Sequence, residues 1–474
     1  MKHPILATLS VLGAVTAAQA ADITPTRVGP VSQYGQLMAG KNSQNKGQIY
    51  GSCEGIKDGA EVQVRGMSLY WSLMDEALEF WSEEGVTSMV NDMKIQIVRA
   101  AMATGKEDWT KGKYIGYEVQ PEVQTNFMKA VVEAAIKQDI YVIIDWHSHE
   151  ANTQTQNAIK FFGEMAQEYG KYDNVIFEVF NEPKKVEWNV IKTYADAVVA
   201  EIRKYSDNLI LVGTPEWDQF PNRAIGSEVS DPQKNTAYTF HYYAGTHCIT
   251  GMHPGNQFWA CEGDHAIEAM NAGLSVFVSE WGVTTSDGKG SVAGDNDGWQ
   301  SWMNENKLSW ANWSGSKIPE GSAAFSEAAT KTSLQYSASG TLVKSYLASN
   351  ADSYTRCPTN VPESSSSQTP TSQANLSSQA DVVKSSSSAQ AIAAGTAREA
   401  FRATFINGTL ALESTASGLT QVSVFDLLGN LHIQKEIHLS EGSHSIHLNT
   451  LPAGSYLVRI RQGQNTLQKR IQVR

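Results

Sequence analysis

Two glutamates in the sequence each stand directly after a short apolar run. Glu182 follows the run at residues 175–180, and Glu280 follows the run at residues 276–279. Two carboxyl groups facing one another across a cleft can cleave a glycosidic bond, one as acid and base and the other as nucleophile or base. Surface acids would have no reason to end two strongly apolar strands, so we expect both glutamates to be functional.

Further polar side chains stand at the ends of other apolar runs. A histidine at a strand end is more often structural than catalytic, and a lone arginine can simply pair with a nearby carboxylate. Their combination favours a site, since the ends of parallel strands in a barrel share one face. These residues are Arg99, His147, His149, Asn181, His241, Tyr243 and Trp313.

The elements that must position these residues are eight apolar runs of strand length, and amphipathic helix-like stretches separate most of them. Alternating strands and helices over about 300 residues predict an α/β fold, a (β/α)8 TIM barrel rather than an open sheet. The runs cover residues 62–69, 95–100, 141–146, 175–180, 209–212, 237–242, 276–279 and 308–313.

Composition changes predict four segments. Residues 1–20 have the charged start, apolar middle and Ala-Gln-Ala end of a signal peptide, and no later segment approaches a transmembrane length. The barrel is expected to occupy residues 21–357, and a flexible linker residues 358–395, which are rich in serine and lack aromatic side chains. Residues 396–474 alternate polar and apolar side chains between turns and predict a small β-sandwich. We therefore expect an exported protein, secreted or at the cell surface.

The four cysteines would lie in an oxidising compartment, where three disulfide connectivities are open. We favour Cys248 with Cys261, which bracket a loop containing glycine and proline. Cys53 with Cys357 would then join the start of the large domain to its end.

The net charge and the aromatic content of the chain indicate which kinds of partner it binds. The 474 residues carry a net charge of −12 with no long basic run, so we expect no nucleic-acid partner. All 12 tryptophans lie between Trp71 and Trp313. Indole rings at this density suit a surface that stacks on sugar rings, although many of them must fill the core.

Residues 30 to 350 resemble glycoside hydrolase family 5, most closely its bacterial endoglucanases. The motifs stand in the family order at the predicted strand ends. They are Phe180-Asn181-Glu182-Pro183, Val278-Ser279-Glu280-Trp281-Gly282, Ile97-Val98-Arg99, Asp145-Trp146-His147, His241-Tyr242-Tyr243-Ala244-Gly245-Thr246-His247 and Trp310-Ala311-Asn312-Trp313-Ser314.

The resemblance implies a retaining endo-β-1,4-glucanase with no metal or organic cofactor. Glu182 would be the general acid and base, and Glu280 the nucleophile, kept ionised by Arg99 and Tyr243. The implied substrate-binding residues are Asn181 at the sugar 2-hydroxyl, His147 and His241 in the subsite, Trp313 as the stacking floor, Trp71 and Trp217 further along the cleft, and Lys317 after the last strand.

The substrate stays open among β-1,4-glucan, mixed-linkage glucan, xyloglucan and mannan, because users of these polymers share the catalytic residues. The segment from Cys248 to Cys261 is longer than the usual family loop and bears on this choice. Two other classes of protein share part of this pattern. His147-Ser148-His149 with His241 is similar to the zinc ligands of amidohydrolases, but that motif belongs on the first strand. A non-catalytic sugar-binding barrel would not need the intact glutamate pair.

The tail resembles the C-terminal sorting domains of type IX secretion cargo, which implies a partner in secretion machinery. The resemblance rests on Val424-Phe425-Asp426-Leu427-Leu428-Gly429, Leu451-Pro452-Ala453-Gly454-Ser455-Tyr456 and the closing Lys469-Arg470-Ile471-Gln472-Val473-Arg474. The tail has no tryptophan and one tyrosine, so a carbohydrate-binding role is only weakly supported.

Overall fold

The computed structural model divides into two compact units, Met1–Pro358 and Thr359–Arg474. It describes residues 22–106, 112–253 and 260–358 of the first unit. In the second unit it describes residues 401–406, 409–414, 418–426, 431–440, 442–447, 451–452, 454–462 and 465–473. The predicted signal peptide and almost all of the predicted linker lie outside these ranges.

Eight parallel strands of the first unit close into a barrel, with each strand beside its neighbour in the chain and the last beside the first. The predicted (β/α)8 fold is confirmed. The strands are β3 (Arg65–Leu69), β4 (Ile97–Ala103), β5 (Tyr141–His147), β6 (Val175–Glu178), β7 (Ile210–Val212), β8 (Thr236–Tyr243), β9 (Val276–Gly282) and β10 (Trp310–Trp313).

Helices surround the barrel and bury their apolar faces against the outward side chains of the strands. Met89 of one helix and Val132 of the next belong to the same buried cluster as Val98 and Ile144 of the strands. The helices are α1 (Pro30–Tyr34), α2 (Asp75–Leu78), α3 (Glu83–Met93), α4 (Pro121–Lys137), α5 (Thr155–Tyr169), α6 (Trp188–Ile202), the single turn α7 (Pro215–Asp218), α8 (Glu262–Asn271), α9 (Asn296–Glu305) and α10 (Ala338–Leu347). Short 3-10 turns lie at Ala151–Thr153, Pro221–Ala224 and Ser286–Gly288.

An antiparallel pair, β1 (Leu37–Lys41) and β2 (Gly47–Gly51), precedes the barrel. Leu37 and Ile49 of this pair share a buried cluster with inward side chains at the amino ends of the strands, such as Ile97 and Ile143. The apolar layer therefore fills this end of the barrel, and polar inward positions are left for the opposite, carboxyl end.

Two disulfides close loops of the first unit. Cys53 is bonded to Cys357 and Cys248 to Cys261, which is the pairing favoured from the sequence. The first bridge spans 304 residues and joins the segment after β2 to the end of the unit. The second ties the loop after β8 to the start of α8.

The second unit is all-β, as predicted. Its strands are β11 (Phe401–Ile406), β12 (Thr409–Ser414), β13 (Gly418–Asp426), β14 (Leu431–Leu439), β15 (Gly442–His447), β16 (Gly454–Gln462) and β17 (Asn465–Val473). They form a three-stranded sheet, β11-β12-β15, and a four-stranded sheet, β14-β13-β16-β17. Alternate side chains such as Val422, Val458 and Ile460 build its core. Among the residues described in both units, no helix is long and apolar enough to cross a membrane.

Candidate active site

Glu182 and Glu280 face one another at the carboxyl end of the barrel. Carboxylate oxygens of the two residues and a ring nitrogen of His241 all lie within 4.8 Å of one another. Glu182 lies four residues beyond the end of β6, in a left-handed backbone conformation with φ of 47°. Glu280 lies within β9, and both carboxyl groups are largely buried.

A bulge in β9 turns Glu280 into the barrel. Along β8 the partners of Thr239 and His241 are Phe277 and Glu280, so β9 contributes one extra residue between these two pairs. A bulge of this kind re-aims the side chains that follow it. Ser279 and Glu280 can therefore both contact groups in the barrel interior, which a regular strand would not allow.

Two donors hold the Glu280 carboxylate. Arg99 Nη1 lies 2.8 Å from Glu280 Oε2, and the Tyr243 hydroxyl donates to Oε1 at 2.8 Å. Burial and the charge of Glu182 raise the pKa of Glu280 to about 7, while Arg99, His241 and the Tyr243 hydrogen bond act in the opposite direction. Both donors therefore favour the charged form of Glu280.

Arg99 is fully buried and forms the centre of a charged layer inside the barrel. Its guanidinium contacts Glu178 Oε2 at 2.6 Å and Asp145 Oδ2 at 2.9 Å, besides Glu280. Burial raises the pKa of Asp145 to about 7 and also raises the pKa of Glu178. One guanidinium group therefore forms ion pairs with three buried carboxyl groups.

Asp145 and Glu178 also belong to the site, although neither was predicted as a site residue from the sequence. In the sequence, each of them is a charged residue at an inward position of an otherwise apolar strand. In the structure, Asp145 and Glu178 are direct register partners on β5 and β6. Arg99 also lies at an inward position, on β4, where its register partner on β5 is Ile143, two residues before Asp145.

A chain of hydrogen bonds connects Glu178 to Glu182. Ser279 Oγ donates to Glu178 Oε1 at 2.5 Å, so it accepts from His241 Nε2, 2.9 Å away. The Nδ1 atom of His241 lies 3.2 Å from Glu182 Oε1. One proton is therefore shared between the His241 ring and the Glu182 carboxyl group in this contact. Burial raises the pKa of Glu182 to about 7, so its carboxyl group keeps a proton to a higher pH than an exposed glutamate does.

Three neutral or amide groups flank the pair. His147 Nδ1 donates to Asp145 Oδ2 at 2.7 Å, and burial holds the pKa of His147 well below its usual range. Burial likewise lowers the pKa of His149 to about 3, and its Nδ1 donates to the Glu182 carbonyl at 3.1 Å. Asn181 Oδ1 accepts from Arg99 at 2.6 Å, and its buried Nδ2 has no partner among the described residues.

The carboxyl pair opens into a cleft of about 540 Å³ with aromatic walls. The Trp313 indole lies parallel to the His147 ring with centroids 5.4 Å apart, and Trp71 meets the edge of the same ring. Trp217 lines the cleft as well. Glu320, which the sequence analysis did not identify, also lines it and accepts from Trp313 Nε1 at 3.2 Å.

The structure does not bring Lys317 to this cleft. Its Nζ pairs with Glu79 Oε2 at 2.5 Å and donates to the Ala329 carbonyl at 3.1 Å. Lys317 instead lines a neighbouring recess. The predicted contact of Lys317 with the sugar is therefore wrong in this structure, because its ammonium group pairs with Glu79 and does not line the cleft.

In the described residues, the clusters of possible metal ligands do not match the zinc-site alternative. Within the described ranges, ligand atoms converge in two groups, Cys248 with His253 and Glu262, and Glu182 with His241 and Glu280. Neither group contains the His147-Ser148-His149 pair, and Cys248 is bonded to Cys261. His247, directly before Cys248, lines the cleft wall, whereas residues 254–259 of the loop between the two cysteines lie outside the described residues.

A closed (β/α)8 barrel that presents two opposed carboxyl groups in an aromatic cleft at its carboxyl end is the architecture of a glycoside hydrolase. The model of the family described as cellulase (glycosyl hydrolase family 5) matches residues 56–317. The chain belongs to glycosyl hydrolase family 5. Residues 406–474 match the family described as secretion system C-terminal sorting domain, in agreement with the resemblance of the tail.

Curated relatives are similar over the barrel. Endoglucanase Z of Dickeya dadantii is 41% identical over 264 residues, 55% of this chain and 57% of the relative. Endoglucanase A of Evansella cellulosilytica is 37% identical over 308 residues, 62% of this chain and 58% of the relative. The chain thus spans less than two thirds of the length of either relative.

Solved structures show the same barrel. A structure from Cytophaga hutchinsonii is 33% identical, with a TM-score of 0.57 over 68% of this chain and 96% of that chain. The catalytic domain of an endoglucanase from Thermobifida fusca is 28% identical, with a TM-score of 0.56 over 68% of this chain and 100% of that chain. A variant of that domain was solved in complex with cellotetraose.

Proposed function

We propose that the first unit is a retaining endo-β-1,4-glucanase that hydrolyses internal bonds of cellulose or a related β-glucan. The observation that carries the proposal is the close approach of two carboxyl groups, within 4.8 Å, with unlike hydrogen-bond partners. Retaining enzymes keep their two carboxyl groups about 5–5.5 Å apart, whereas inverting enzymes leave room for a water molecule. The endoglucanase names of the relatives support the same activity.

Glu280 would act as the nucleophile in the first step. Its carboxylate attacks the anomeric carbon while Glu182 donates its proton to the departing glycosidic oxygen, and the chain beyond that oxygen leaves. The products of this step are a glycosyl ester on Glu280 and an ionised Glu182. Arg99 and Tyr243 keep Glu280 charged until it attacks.

Water completes the reaction. Glu182, now a base, removes a proton from a water molecule that attacks the same carbon, and Glu280 leaves as a carboxylate. The configuration at the anomeric carbon is retained, and Glu182 regains its proton. No atom of the two steps requires a group beyond the sugar, water and the two carboxyl groups.

The remaining cleft residues would bind the glycan. Trp313 offers its face to the sugar at the cleavage point, and the free Nδ2 of Asn181 suits the 2-hydroxyl of that sugar. Trp71 and Trp217 extend the aromatic surface to either side. The cellotetraose in the Thermobifida fusca structure supports a glucan chain as the ligand.

The second part of the proposal concerns the C-terminal unit and the export of the protein. Because residues 406–474 match a secretion sorting domain, we propose that the protein leaves the cell through secretion machinery that recognises this unit. The protein would then act outside the cell or at its surface.

The test is hydrolysis of carboxymethyl cellulose, barley glucan, xyloglucan and mannan by residues 21–357 in parallel with the full chain. A rapid fall in viscosity with few new reducing ends, absent in Glu280→Ala, would support an endoglucanase. Product NMR should show the β anomer first, as retention requires. Activity on mannan alone would move the substrate, and no hydrolysis by either protein would overturn the proposal.

A further inference from the structure

Asp218 is a fully buried carboxylate next to the site, and the double displacement does not use it. It ends the turn α7, which follows β7. Its Oδ2 accepts the backbone N–H of Glu182 at 2.9 Å, and its Oδ1 accepts the N–H of Thr214. The same Oδ2 lies 3.5 Å from His241 Nδ1. Asp218 therefore contacts Glu182 and the histidine that Glu182 contacts.

The backbone around Asp218 is left-handed on both sides of these contacts. Glu216, Trp217 and Asp218 have φ of 56°, 57° and 63°, and Glu182 has φ of 47°. Residues with a side chain are held in this region only when their surroundings fix them. The Asp218 carboxylate bridges an amide of each segment, and Trp217 N–H donates to the Pro183 carbonyl at 3.2 Å. The segment of the acid and the wall residue Trp217 are thus fastened together.

We propose that Asp218 is a positioning residue that fixes the Glu182 segment and keeps the Glu182 carboxyl protonated for its role as general acid. The inference rests on the proposed glycosidase function. Burial raises the pKa of Asp218 to about 7, and the charge of Glu182 acts in the same direction, whereas His241 and the two backbone N–H groups favour the ionised form. When Asp218 is ionised, its negative charge beside His241 raises the affinity of the Glu182–His241 contact for its proton. No substrate atom needs to touch Asp218.

Other charges also face Glu182, so the effect of Asp218 must be separated from theirs. Burial gives the largest contribution to the raised pKa of Glu182, and Arg99 opposes it. The titratable and charged groups around the Glu182 carboxyl are Arg99, Asp145, His149, Glu178, Lys184, Asp218, His241 and Glu280.

The test compares two leaving groups in Asp218→Asn. Hydrolysis of 2,4-dinitrophenyl β-cellobioside needs no proton donor, whereas phenyl β-cellobioside requires one. We expect kcat/KM for the phenyl substrate to fall about tenfold, a fraction of the full effect of a general acid. The value for the dinitrophenyl substrate should stay within about twofold, and the basic limb of the pH profile should move down by about one unit.

Asp139→Asn is the matched control. Asp139 is also a buried aspartate with positive φ, and it accepts the backbone N–H groups of Gly29 and Ser32 at the opposite end of the barrel. Its loss should lower the melting temperature without changing the ratio between the two substrates. Asp218→Ser, measured with active sites counted by a 2-fluoro-cellobioside inactivator, replaces Asp218→Asn if the latter does not fold.

The experiment distinguishes a failure of the proposed role of Asp218 from a failure of the proposed glycosidase function. An equal loss on both substrates, or a basic limb that does not move, would overturn the role of Asp218 while leaving the glycosidase proposal intact. A wild-type protein inactive on both substrates would instead refute the proposed function and the inference with it.

Discussion

Replacing Tyr243 by Phe removes one of the two donors that keep Glu280 ionised. The hydroxyl group lies 2.8 Å from Glu280 Oε1, and a hydrogen bond to a charged group contributes about 1.5–3 kcal/mol. Because about 1.36 kcal/mol corresponds to one pKa unit, the pKa of Glu280 should rise by roughly one to two units. The sign follows from the bond, which stabilises only the charged form.

The assay is kcat/KM on p-nitrophenyl β-cellobioside as a function of pH. The carboxyl pair loses its protons in two steps, and the acidic limb of the profile reports the first loss, from Glu280. We expect this limb to shift upward by about one to two pH units in Tyr243→Phe. The basic limb, which reports Glu182, should move far less.

Tyr242→Phe is the control because this neighbouring tyrosine is also fully buried, and its hydroxyl faces Met303 Sδ, 3.7 Å away. Its acidic limb should match that of the wild type. An unshifted acidic limb in Tyr243→Phe, with the protein folded, would refute the assignment of Glu280 as the carboxylate that this hydroxyl holds.

Four further outcomes follow from the same structure. Wild-type kcat/KM should decline as the pH rises through about 7, since Glu182 with its raised pKa then loses the proton it must donate. Trp313→Ala should raise KM for cello-oligosaccharides about tenfold, because the stacking surface beside the carboxyl pair is lost. Lys317→Ala should leave KM within about twofold, as the ammonium group pairs with Glu79 rather than lining the cleft. Cys53→Ser with Cys357→Ser should lower the free energy of unfolding by about 2–5 kcal/mol in urea titrations, without altering KM.

The elements and the reacting pair were predictable because each carries a local signal. Apolar runs located the eight barrel strands, and the two glutamates were visible as acids directly after such runs. The bulge in β9 was not predictable, because residues 276–279 read as a regular strand. A regular strand would not place Ser279 and Glu280 both within the interior network, so the contact from Ser279 to Glu178 was hidden.

The predicted role of Lys317 was wrong for a related reason. A position in the chain after Trp313 indicates proximity, but it does not decide which carboxylate draws a flexible ammonium group. Glu79 is 238 positions earlier in the sequence, at the end of α2, and only the closed barrel brings it within reach of Lys317. Asp218 was missed similarly, since its partners are distant in the sequence: Glu182 follows β6 and His241 lies on β8.

Under the proposed retaining mechanism, the charged layer around Arg99 gives a physical reason why one carboxyl group of the pair keeps its proton while the other is ionised. One buried guanidinium contacts three carboxyl groups, Glu178, Asp145 and Glu280, and Glu182 lies just beyond them. Water does not screen these charges, so the layer cannot hold every carboxyl group ionised and must retain protons. Arg99 and Tyr243 favour the ionised form of Glu280, and under the proposed mechanism the retained proton lies in the contact between Glu182 and His241. The buried carboxyl groups lower the stability of the fold, and the proton that they retain would supply the acid for the first step of the proposed reaction.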